Sequence, residues 1–217
     1  MTKTLVALLL ALLLVDASAQ PMRTMGGAGF LHADEARFLP GLYHFERGCA
    51  RYAKGHVDEA MAEWTLAAGW AVKEAQYNLG LALFTGERVA RDRPLGLAWL
   101  AVAAERKDRM FSASLAAAWD AATPAERQQA NALHAPLLAR YGDARTRRKA
   151  MAHFERELAQ LTGSRVGMAG HVSVWTPAGG RQDIAVYRRH LQQKARLNFG
   201  LAPDARVRVG DIEPAPR

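Results

Sequence analysis

Two stretches of this chain repeat one another, and that repetition limits the fold more than any other feature. Residues 48–69 (GCARYAKGHVDEAMAEWTLAAG) align with residues 75–104 (AQYNLGLALFTGERVARDRPLGLAWLAVAA). Tyr52 matches Leu83 and Gly55 matches Gly86 at an offset of 31, whereas Ala67-Ala68 match Ala103-Ala104 at an offset of 36. The difference is a longer turn in the second unit. A period of this length is the mark of a helix-pair array, in which no unit buries its apolar face alone and neighbours must stack. Each unit reads as a helix A ended by glycine and a helix B that returns antiparallel. Small residues, Cys49 in one unit and Gly80 in the other, stand where a neighbouring helix must come close. Trp64 and Trp99 are expected to fill the groove between units.

From Leu42 to Leu161 the pattern stays helical, with apolar residues recurring at three and four. Alanine, the strongest helix former, is abundant there. Gly55, Gly69, Gly86 with Pro94, Thr123-Pro124, Pro136, Gly142 and Gly163 punctuate it. Thr123-Pro-Ala-Glu126 predicts a capped helix start: Thr caps, Pro suits the first helical position and Glu closes a capping box. Helices of about 12 residues with short turns imply antiparallel pairs.

The second unit resembles a Sel1-like repeat. Ala75, Leu79-Gly80, Leu83, Gly86, Val89, Asp92, Trp99-Leu100 and Ala103-Ala104 stand at the places of that pattern. Gly96 replaces the usual Ala, and Glu87-Arg88 stands where a second Gly is common. The first unit has a shorter turn, Gly55-His-Val-Asp-Glu-Ala60, and looks more like a tetratricopeptide repeat. A third unit could begin at Phe111 with Trp119, but it lacks the glycines. The resemblance implies a mainly α fold, an α-solenoid of antiparallel helix pairs. It also implies an adaptor or scaffold in envelope, secretion or signalling assemblies that binds proteins on its concave face. The family has no catalytic residues to carry over, so no catalytic, cofactor-binding or metal residue is expected.

The ends differ from the middle. Lys3 precedes the uncharged run Leu5–Val15, and Ala17 and Ala19 stand at the −3 and −1 positions of a cut after residue 19, as in a secretory signal peptide. No Cys stands beside the cut, so a lipoprotein is not expected. The chain then reads as an exported protein, periplasmic or secreted. Residues 20–40 read as a flexible segment, 41–108 as the repeats, 109–163 as divergent or capping helices and 164–217 as a basic appendage. In that appendage His171–Trp175 alternates like a strand, and residues 176–180 form a turn. Asp183 can cap a helix over 184–199 stopped by Gly200, and Ala205–Val209 alternates again. A small β-α-β unit follows from this.

Charge is uneven. Residues 1–139 carry 14 Lys/Arg against 14 Asp/Glu, and residues 140–217 carry 15 against 7. The surplus supports attraction to an anionic lipid or polysaccharide surface as an alternative to protein binding, with nucleic acid not expected for an exported chain. Chemistry is sparsely signalled. The histidines His32, His44, His56, His134, His153, His171 and His190 never pair at i, i+4, and no H-E-x-x-H or G-x-S-x-G occurs. The single Cys49 excludes an internal disulfide and reads as a buried small residue. Asp58-Glu59 reads as a turn pair that can cap the next helix. His44-Phe-Glu-Arg47 recurs as His153-Phe-Glu-Arg156, with Phe45 and Phe154 expected to face the core. The chain therefore reads as a non-enzyme. An accessory hydrolase, with a pocket at His171, Trp175 and Asp183, is the less favoured reading.

Overall fold

The computed structural model describes residues 33–161, 173–176 and 180–201. The expected leader, Gly163 and the alternating run at 205–209 lie outside the described residues. The helices are α1 Ala33–Ala36, α2 Pro40–Ala53, α3 Val57–Ala68, α4 Lys73–Thr85, α5 Arg93–Ala103, α6 Arg109–Ala121, α7 Pro124–Tyr141, α8 Asp143–Leu161 and α9 Ile184–Asn198. A 3-10 turn, Ala104–Arg106, follows α5. Strands β1 Ser173–Thr176 and β2 Gly180–Asp183 pair antiparallel, with Ser173 opposite Asp183 and Thr176 opposite Gly180.

The two repeats are helix pairs α2–α3 and α4–α5. Their register is antiparallel: Gly41 meets Trp70 and Gly48 meets Trp64 in the first pair, while Gly80 meets Leu100 and Phe84 meets Gly96 in the second. The repeated glycines have a shared reason. Gly55 (φ +84°) and Gly86 (φ +74°) are left-handed just beyond the A helices, a conformation that costs a side chain but not glycine. Asp92, a matched position of the second unit, caps α5 by accepting from the Leu95 N–H at 3.0 Å. Its own N–H donates to the Leu83 carbonyl at 2.9 Å, tying the longer turn to helix A.

The divergent stretch is three further helices. The predicted capping box is present: Thr123 Oγ1 accepts from Glu126 N–H at 3.3 Å, and Glu126 Oε2 accepts from Thr123 N–H at 2.8 Å. Asp108 caps α6 in the same manner, at 2.9 Å from Met110 N. Pro136 does not punctuate; it lies inside α7, which runs on through it. One missing donor there is tolerated because Ala130 before it and Tyr141 after it are buried and anchor the helix.

Four other expectations change. Residues 20–40 are not flexible to their end, because Glu35, Phe38 and Leu39 are buried. Asp58 and Glu59 do not cap α3; they sit in its first turn, and Glu59 pairs with Arg51 at 2.9 Å. Trp64 fills its own helix pair rather than a groove between units, and Trp99 stacks on Tyr141 of α7 with ring centres 4.7 Å apart. The backbone of residue 180, read as turn, begins the strand that pairs with β1.

Asp183 does cap α9, accepting from Ala185 N–H at 2.7 Å. That helix joins the first core rather than standing apart. Tyr187, Leu191, Ala195 and Phe199 pack in one cluster with Phe38, Leu42, Phe45, Trp64, Phe154 and Leu158. A second cluster gathers Tyr77, Leu81, Leu97, Leu100, Phe111 and Ala130 from α4 to α7. Phe45 and Phe154 face the core as expected, at 0% and 7% exposure.

Candidate functional site

The second core is open on one side. Between α5, α6 and α7 lies a groove of about 470 Å³, floored by Leu97, Ala98 and Ala101 and walled by Leu115, Ala116 and Trp119. Ser112, Asp120, Asn131 and His134 form its polar margin. Local sequence explains the shape. On α5 two of the three floor positions, Ala98 and Ala101, carry only a methyl group, so the floor stays low. On α6, Leu115 and Trp119 are four apart and rise as one wall. Arg127 steadies Trp119, its guanidinium carbon 5.6 Å from the indole centre and its Nε donating to the Trp119 carbonyl at 2.8 Å.

A buried ionic cluster ties the start of α4 and the turn after α5 to the start of α8. Lys73 is 2% exposed, and its Nζ donates to Gln76 Oε1 (3.0 Å), the Val102 carbonyl (2.9 Å) and Glu105 Oε2 (2.7 Å), lying 3.4 Å from Asp143 Oδ1. Arg106 grips Asp143 with two bonds, 2.7 and 2.9 Å, and donates to the carbonyls of Ala71 and Asn198. Asp143 N–H donates to Glu105 Oε2 at 2.9 Å. Burial pushes the Lys73 ammonium below its ordinary range, and Glu105 and Asp143 offset this only in part. Burial would raise Asp143, but the Arg106 bonds and the charges of Arg106, Lys73 and Arg147 outweigh it and hold the carboxyl below the usual range. Every charge here has a partner and the cluster joins four segments, so its chemistry is that of a clamp.

The nucleophile and metal searches give structural answers. Gly48, not Cys49, takes the close approach of helix B in the first unit: a Cβ at Gly48 would lie 2.5 Å from Trp64 Cδ1. Cys49 is half-buried beside it. Burial drives its thiol up to about 11, against the pull of the Trp64 indole, so little reactive thiolate forms. Among the described residues no group of three or more His, Cys, Asp or Glu could hold a metal ion. No described helix is long and apolar enough to cross a membrane. Of the three residues named for a hydrolase pocket, Asp183 caps α9, Trp175 lies in β1, and His171 is outside the described residues.

The second pair also explains one of its two departures from the Sel1-like pattern. A Cβ at Gly96, where Ala is usual, would lie 2.5 Å from the Phe84 backbone N, and one at Gly80 would lie 2.8 Å from the Leu100 backbone N. Two backbones touch at this crossing. The architecture is a stack of antiparallel helix pairs.

No family model and no curated protein matches the chain. Among solved structures it is similar to a protective antigen present in uropathogenic Escherichia coli strains and described as displaying an SLR fold. The likeness runs at 21% identity with a TM-score of 0.43, over 61% of this chain and 27% of that one.

Proposed function

We propose that the chain is an exported, non-catalytic scaffold of the envelope, and that the groove between α5, α6 and α7 receives an apolar helix of a partner protein. The groove itself carries this reading. Helix pairs in such arrays bury their faces by stacking on the next helix, and here three helices leave a shaped, largely apolar trough that no other described helix lines. Trp119 and Leu115 supply an aromatic-aliphatic wall of the kind that anchors interfaces. A helix laid into it would place side chains at i, i+3 and i+4 against Leu97 and Trp119. Asp120, exposed at the margin, favours a partner with a basic residue beside its apolar face.

The test is crosslinking in intact cells of a tagged chain and its Ala116→Arg variant, followed by mass spectrometry. Ala116 is exposed at the groove wall, so arginine blocks the trough without entering the core. A recurrent envelope protein lost from the variant supports the proposal. Equal recovery with both chains, or no recurrent protein partner, overturns it.

A further inference from the structure

The sequence pattern leaves α9 with a second face that the core does not use. Its inner face is Tyr187, Leu191 and Ala195, all buried. At about 100° per residue the opposite face carries Val186, Arg189, Gln193, Arg196 and Leu197. Val186 is 48% and Leu197 64% exposed. A third aliphatic residue is brought to the same end by the helix terminus. Gly200 is left-handed at φ +65°, and Leu201 N–H donates back to the Arg196 carbonyl at 2.8 Å. That turn folds Leu201, 44% exposed, beside the last turn of the helix.

The charge on this helix is one-sided. Between Ile184 and Asn198 stand Arg188, Arg189, Lys194 and Arg196 with His190, and no carboxylate. Lys194 and His190 turn to Glu35 at 2.7 and 3.3 Å, which neutralises that buried acid and pins α9 to α1. Arg188, Arg189 and Arg196 reach no carboxylate among the described residues. Asp183, at the start of the helix, is occupied with its cap. The adjoining start of α8 adds Arg145 and Arg148, both exposed, and Arg147 there reaches the Phe199 carbonyl at 3.5 Å, so the two basic stretches abut.

We propose that this outer face of α9 lies on an anionic lipid surface, with Arg189 and Arg196 at the headgroups and Val186, Leu197 and Leu201 reaching the acyl boundary. An acidic protein or a soluble polyanion would explain the arginines alone. Two exposed aliphatic side chains on the same face, with a third just past the helix end and no carboxylate among them, are what an interfacial helix requires. The inner face of α9 is held in the core, so its backbone is already ordered before docking.

The proposal separates from the groove, because Ala116 is on α6. The purified full chain is tested by co-sedimentation with vesicles of phosphatidylcholine alone and of phosphatidylcholine with phosphatidylglycerol. The expected result is binding only to the anionic vesicles, weakened by moderate salt. Arg189→Gln with Arg196→Gln should weaken it about thirtyfold, at roughly fivefold per arginine. Leu197→Ser should weaken it about tenfold. All these side chains are exposed, so the variants keep the fold, checked by an unchanged melting temperature. Three outcomes overturn the proposal: no preference for anionic vesicles, equal binding by the double arginine variant, or binding that Leu197→Ser leaves unchanged. Polyphosphate competition of Leu197→Ser and the parent chain to the same extent, with no vesicle binding, would assign the arginines to a soluble polyanion instead.

Discussion

The two helix pairs solve one geometric problem in different ways. In α2–α3 a glycine, Gly48, makes room for an indole, and the fully buried Trp64 fills the gap. In α4–α5 two glycines, Gly80 and Gly96, let the backbones touch, and Trp99 is free to stack outward on Tyr141. The first pair is held apart by a side chain and the second is closed to contact. A side chain can shift, whereas backbone cannot, so the second crossing should be the less forgiving of added atoms. The first should be the more sensitive to atoms removed.

The sharpest test removes the spacer. Trp64→Ala should cost about 4 kcal/mol of unfolding free energy in a urea titration, because an indole-sized cavity opens beneath Phe45 and Tyr52. A loss below about 1 kcal/mol would mean that the first pair collapses as closely as the second. Next is the clamp that serves the second pair. Asp143→Ala should cost about 3 kcal/mol, since Arg106 and Lys73 lose their shared counter-charge while still buried. The same carboxyl sets an acid dependence. Its native pKa is depressed, so its contribution is complete above the ordinary aspartate value of about 3.9 and is lost as the pH falls through the native value. Stability curves of parent and Asp143→Ala should therefore converge in acid, and a constant gap would contradict the assignment.

The chemical environment of the first pair gives the third test. With its thiol raised from 9.0 to about 11, Cys49 should be alkylated at pH 8 about a hundredfold more slowly than an unshifted thiol. Fast labelling would mean that the Trp64 wall opens readily. The smallest expected effects bear on the comparison most directly. Gly96→Ala should cost about 2 kcal/mol and Gly48→Ala about 1 kcal/mol, because the first clashes with backbone and the second with a movable ring. The reverse order would break the distinction between the two crossings.

These contrasts also show which features local sequence carries. Gly55, Gly86, Asp92, Thr123 and Asp183 act within a few residues of themselves, through backbone conformation or a cap, and each is readable from its neighbours. Gly96 was visible as a departure but not as a necessity, since the Phe84 nitrogen it meets belongs to another helix. Pro136 misleads because a proline in a packed helix looks the same in sequence as one that ends it. The ionic clamp gave no local signal: Lys73, Arg106 and Asp143 are separated by more than 30 residues at each step, and no period links them. The groove was equally silent, since it is a space left among α5, α6 and α7 rather than a residue pattern. The docking of α9 was half legible: its amphipathic stripe predicted a buried face, but not that Phe38 and Phe154 would be the partners.

The bond between Glu35 and Lys194 spans 159 positions, and it joins the outermost described helices across a fold whose repeats otherwise touch mainly neighbours. Ordinary helical arrays behave as one-dimensional chains, able to fray from an end and to nucleate at any unit. Here the last helix lies against the first, so the array has no loose end among these elements. Phe38 and Leu42 stay uncovered until α9 has been synthesised, and the first pair cannot complete its core before then. Folding should wait for this distant closure and be slower than the helical content alone suggests. Unfolding should be a single event shared by all the helices, with hydrogen exchange in α2 and α9 slowed to the same degree.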